Sequence, residues 1–72
     1  MPREITDIII DYVYGRECAE LDDIVEAVVR ELSKQEEEVK HAVVSALSKL
    51  VRKRLLIRKR RGYYCVPPVV IL

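Results

Sequence analysis

The stretch 51–66, VRKRLLIRKRRGYYCV, holds seven Lys or Arg residues among sixteen and no acid. Clustered ammonium and guanidinium groups are the chemistry of polyanion binding, in which phosphates are contacted and their condensed counterions released. Other reactive side chains are few. Cys18 and Cys65 are the only cysteines and His41 the only histidine, and three such residues at this spacing do not make a zinc site. His41 has no neighbouring nucleophile with an orienting acid, so catalysis by a triad is not expected. Asp22, Asp23 and Glu26 form a carboxylate cluster, but acid–base chemistry needs a pocket as well, and a solvated helix face accounts for them. The chain is therefore read as a non-enzyme, with no catalytic residue, metal or cofactor.

The net charge of +1 conceals a division. Residues 1–38 carry all twelve acids and four bases, a sum of −8, while residues 39–72 carry nine bases and no acid, a sum of +9. Any field attracting a polyanion belongs to the second half.

Seventy-two residues make one domain. A core this small needs extra support from a dimer, a cross-link or regular helix packing. No apolar run approaches the roughly 20 residues of a membrane span. The start, MPREITDIII, mixes acids with apolar residues and is not a signal peptide, so an intracellular location is expected. The absence of Asn and the single Gln lie in the direction of a hyperthermophile, where thermolabile amides are few.

These side chains must be positioned by short elements. Ile5, Ile8, Ile9, Tyr12 and Val13 make one helical stripe, with Pro2 near the helix start and Gly15 as its stop. Ile10 and Tyr14 form a second apolar patch. After a short connector, Leu21, Ile24, Val25, Val28, Val29 and Leu32 repeat the spacing. Asp22 and Asp23 fall in that helix's first turn, where the dipole favours carboxylates. Ser33 and Glu36 read as a capping box, which opens a third helix from about residue 35 to 52 or 53. Its buried stripe is Val39, Ala42, Val43, Ala46, Leu47 and Leu50. Residues 55–59 and 63–66 read as a hairpin joined by the three residues Arg60, Arg61 and Gly62, with Gly62 left-handed. That register sets Lys59 opposite Tyr63, Arg58 opposite Tyr64, Ile57 opposite Cys65 and Leu56 opposite Val66. Pro67 and Pro68 end the second strand.

The order helix, connector, helix, turn, helix, hairpin resembles the winged helix-turn-helix family. The residues carrying the likeness are AELDDIVEAVVRELSKQEEEVKHAVVSALSKLVRKRLLIRKRRGYYCV. The most specific piece joins LSKLVRKRLLIR to GYYCV, as a recognition helix joins a wing. The resemblance implies an α+β, mostly α, fold: a three-helix winged helix-turn-helix with a C-terminal β-hairpin wing over residues 1–66. Residues 67–72 form an apolar tail for packing or dimerisation. It further implies a sequence-specific double-stranded DNA-binding protein, a transcriptional regulator, and the chain's size and composition point to the small archaeal or archaeal-virus type. Its third helix would lie in the major groove and its wing on the phosphates. Carried onto this chain, the groove-facing residues are Glu37, Lys40, His41, Val44, Ser45 and Ser48. Lys49, Arg52 and Lys53 meet phosphate, and Arg58, Lys59, Arg60 and Arg61 form the wing tip. The alternative is a winged-helix protein–protein interaction module or complex subunit that binds no DNA. KQEEEV at the third helix's start points that way, because three Glu repel phosphate, although Glu can accept a hydrogen bond from cytosine.

In winged helices the connector pairs with the second wing strand. The resemblance thus brings Cys18 beside Cys65, either as a disulfide or as two buried thiols. Of Tyr63 and Tyr64, one packs on the core and the other covers the hairpin, a stacking platform for single strands being the alternative. The tail VPPVVIL packs in cis or against a second copy. With the Ile10 and Tyr14 patch it leads to an expected homodimer. No membrane and no small-molecule effector are expected as partners.

Overall fold

The apolar stripes set the helices. In the computed structural model, which describes residues 3–68, α1 spans Ile5–Arg16, α2 Leu21–Leu32 and α3 Glu36–Arg52. Three short strands, β1 (Cys18–Glu20), β2 (Ile57–Arg60) and β3 (Tyr63–Cys65), form an antiparallel sheet in the order β1-β3-β2. The result is an α+β, mostly helical layout, with a three-helix unit and a C-terminal hairpin wing. The expectations for Pro2 and for the last four residues of the tail, VVIL, lie outside the described residues. No described helix is long and apolar enough to cross a membrane.

Each helix turns its stripe to one core. Ile8, Ile9 and Val13 of α1, Ile24, Val25 and Val28 of α2, and Val39, Val43, Leu47 and Leu50 of α3 are buried together with Ala19, Leu56 and Tyr64. Among the described residues, no charged residue is buried in this core. Complete burial of one such Val, Ile or Leu side chain contributes about 1.5–3 kcal/mol, so helix spacing alone accounts for most of the cohesion.

The helix ends differ from expectation. Gly15 does not stop α1, which continues to Arg16, and Glu17 takes the turn with φ 71°. Arg16 gains a place for its guanidinium 3.9 Å above the Tyr12 ring. Ser33 does not cap α3. It sits in the left-handed conformation that ends α2 (φ 53°, ψ 41°), and Gln35 is the N-cap of α3 without a side-chain bond. Glu36, Glu37 and Glu38 fill the first turn instead, where their charge meets the positive end of the helix.

The joint between α3 and the wing is a Schellman turn. Arg54 donates its N–H to Val51 O and Leu55 donates to Leu50 O, at 3.0 and 2.9 Å, while Arg54 holds φ 63°. Leu55 and Leu56 are thus spent on closing α3, so β2 begins at Ile57 and not at Leu55. The pairs Ile57–Cys65 and Arg58–Tyr64 form as expected, but Arg60, not Lys59, faces Tyr63 across a bulge at Lys59. The loop is accordingly the two residues Arg61 and Gly62, with Gly62 left-handed at φ 71°. Val66 pairs away from β2 and donates to Glu17 O at 2.8 Å.

Candidate nucleic-acid interface

The expected contact residues are all on the surface. Lys40, His41, Val44, Ser45, Ser48, Lys49, Arg52 and Lys53 are exposed along α3 and its end, as are Arg58, Lys59, Arg60 and Arg61 on the hairpin. Helical spacing explains the first set, since burying Val39, Val43, Leu47 and Leu50 turns positions 37, 41, 44, 45 and 48 outward. Val44, 42% exposed, is the one large apolar side chain open on this outer face.

The bulge governs the wing. Strand alternation puts Arg58 on the face of Tyr64, which is buried at 8% exposure, and so towards α3. Lys59, as the extra residue, and Arg60 emerge on the other side. Arg60 Nη2 reaches Glu20 Oε1 at 3.8 Å, and its guanidinium lies 4.5 Å over the Tyr63 ring. Tyr63 thus covers the hairpin while Tyr64 joins the core, as expected for that pair. The Arg60–Glu20 pair is exposed on both sides, so it holds the side chain without contributing much stability.

The acids compensate few of the second half's bases. Among the described residues, ion pairs join Arg3 to Asp11 and Glu31, Arg30 to Glu26, and Arg60 to Glu20. Arg60 is therefore, among the described residues, the only base after residue 38 with a carboxylate partner. The remaining cations of α3, its end and the wing face solvent with their charge uncancelled by a contact.

Helix and wing also share a groove. Ser48, Val51 and Arg52 of α3 form one wall, and Arg58 and Tyr64 of the sheet the other, around about 350 Å³. No acid lines it. Sequence reading named Ser48, Arg52 and Arg58 separately but could not place them together, because the meeting depends on the Arg58–Tyr64 register and the angle set by the Schellman turn. It named Tyr14 only as part of an apolar patch, whereas its hydroxyl donates to Leu55 O at 2.8 Å and so fastens α1 to the joint.

Two regions of other character flank the basic face. Glu36, Glu37 and Glu38 are exposed at the start of α3. At the opposite edge of the sheet, Cys18 faces Cys65 with their sulfurs at disulfide distance. No group of three or more His, Cys, Asp or Glu among the described residues is placed to hold a metal ion. No protein-family model, curated protein or solved structure matches this chain.

Proposed function

We propose that the chain binds double-stranded DNA as a sequence-specific regulator, with α3 in the major groove and the wing on the phosphates. The observation that carries this reading is the set of uncompensated cations that runs from α3 through its C-terminal turn into the hairpin. Solvent-facing Lys and Arg side chains favour phosphate over any uncharged partner. The polar outer face of α3, with His41, Ser45 and Ser48, supplies groups that hydrogen-bond base edges, and Val44 supplies an apolar contact. An intracellular site of action follows from a DNA ligand. Tyr14 and Leu55 are adjacent and exposed at 44% and 43%. A second copy meeting that patch gives a two-fold pair of reading heads, which sedimentation equilibrium tests.

The deciding experiment is fluorescence anisotropy with labelled duplex DNA across a salt series. The expected result is affinity that falls linearly on log–log axes, with a slope of about −0.9 per neutralised phosphate. No binding at low salt overturns the reading. In that case the second reading, a protein-interaction module, is favoured by Glu36, Glu37 and Glu38. These are exposed where a recognition helix would first approach the bases, and they repel phosphate.

A further inference from the structure

We infer that the groove between α3 and the wing is a binding site for one phosphate group, gripped jointly by Arg52 and Arg58. The inference rests on the DNA-binding reading and names the point where helix and wing hold the same backbone group. Arg52 comes from the last turn of α3 and Arg58 from β2, yet both line one concavity. Ser48, one helical turn before Arg52, adds a hydroxyl to the same wall.

Tyr64 supplies the floor. Its side chain is core, at 8% exposure. Its hydroxyl makes no hydrogen bond to another described residue, and no buried side-chain oxygen or nitrogen there lacks a partner. Tyr64 is one of the residues that line this groove. A buried ring that carries one open donor is rigid, because its rotamer is fixed by packing. Directly across the strand pair lies Arg58, which lines the same groove.

The groove thus offers two cations and two neutral hydroxyl donors, with no carboxylate to compete. Guanidinium groups match the oxygens of a phosphate in geometry as well as charge. A base edge has no net charge to balance two arginines. A backbone phosphate brings a negative charge and two non-bridging oxygens, each of which can accept from more than one donor. The bound phosphate comes either from the duplex backbone, as the proposed function requires, or from a free phosphate compound.

The test uses the full chain and the variants Arg52→Gln, Arg58→Gln, their combination, and Tyr64→Phe. All four keep the fold, since the arginines are exposed and Phe retains the ring. Duplex binding is measured by anisotropy across salt. If both arginines hold one phosphate, the double variant lowers the slope by about 0.9 in total. A fall of about 1.8 means two separate phosphates and overturns the shared site while leaving DNA binding intact. Tyr64→Phe is expected to weaken binding roughly five-fold with the slope unchanged, as loss of one neutral donor does. Unchanged affinity removes the hydroxyl from the site. If the wild type binds no duplex, titration of the labelled protein with inorganic phosphate separates the two ideas. Amide shifts at Ser48, Arg52 and Arg58 that vanish in Arg58→Gln assign the groove to a free phosphate and dismiss the DNA reading. No shifts dismiss both.

Discussion

Cys18 and Cys65 face each other across β1 and β3 with their Cα atoms 4.0 Å apart. The neighbouring bonds define the position. Val66 donates to Glu17 O on one side, and Leu21 donates to Gly62 O on the other side of the pairing, so the cysteines occupy a non-hydrogen-bonded site. There the strands bring Cα atoms closest, near 4.5 Å in general. Antiparallel pairing alone thus presents the two sulfurs to each other. The pair links the connector before α2 to the last strand of the wing, at a sequence separation of 47.

Oxidation of this pair should therefore stabilise the fold. Closing a loop of that length restricts the unfolded chain, which is worth about 2–4 kcal/mol in the chain-entropy model. Guanidinium unfolding with and without a strong reductant checks this, with Cys18→Ser as the permanent reduced form. The expected result is a lower midpoint for both reduced forms. Equal midpoints mean that the thiols never joined or that the bond adds nothing.

Two positive-φ residues on either side of β2 should respond in opposite directions. Arg54 pays for its place at φ 63° with a Cβ clash that glycine lacks. Arg54→Gly should raise stability by about 0.5–1 kcal/mol. Gly62 holds φ 71°, and an added Cβ there would meet nothing closer than Leu21 Cβ at 3.8 Å. Gly62→Ala is therefore sterically open but conformationally strained, and should cost about 1 kcal/mol. Thermal unfolding reads both changes, and a destabilised Arg54→Gly would show that the side chain makes contacts that outweigh the strain.

How far the chain could be read in advance follows from the range of the interactions. The three stripes were readable because burial at i, i+3 and i+4 is a local property, and the observed cores of α1, α2 and α3 follow them, with Ile5, Tyr12, Leu21, Val29, Leu32 and Ala46 only partly buried and Ala42 outside the core. Ser33 and Glu36 have the spacing of a capping box, but spacing does not fix the backbone conformation at Ser33. The chain reversal after α2 claims Ser33 for the left-handed position first. The bulge at Lys59 was invisible for a different reason. Pairing in β2 is displaced by Leu55 and Leu56, whose N–H groups are drawn back to Leu50. The expected contact residues were found one by one, since exposure follows from helix phase. The groove uniting Ser48, Arg52, Arg58 and Tyr64 needed two elements distant in sequence, which no local pattern specifies.

Leu47 and Val44 lie three residues apart on α3 and separate stability from recognition. Leu47 has no exposure at all, whereas Val44 is 42% exposed. Leu47→Ala should cost about 2–5 kcal/mol by leaving a cavity among packed side chains. Val44→Ala should leave stability within about 0.5 kcal/mol while changing which duplex sequences are preferred, because the isopropyl group is lost from the outer face of α3. Chemical denaturation measures the first, and selection from a randomised duplex pool the second. An unchanged selected sequence would remove Val44 from the reading face.

Glu20 offers the most direct test of the wing. Its carboxylate stands 3.8 Å from Arg60 Nη2, so the one paired cation of the hairpin is partly neutralised where phosphate would approach. Glu20→Gln keeps the shape of the side chain and removes the charge. Arg60 remains stacked on Tyr63, so its position is retained while its field is released. Stability should change by less than about 1 kcal/mol, since the pair is exposed. Duplex affinity at low salt should rise about two- to five-fold, with a steeper salt slope as Arg60 begins to displace a counterion. Glu26→Gln is the control, because it removes the same charge from a pair with Arg30 that includes no wing residue. A gain for Glu20→Gln alone locates the effect at the wing. Equal gains for both variants would reduce it to net charge and show that Glu20 does not specifically neutralise Arg60.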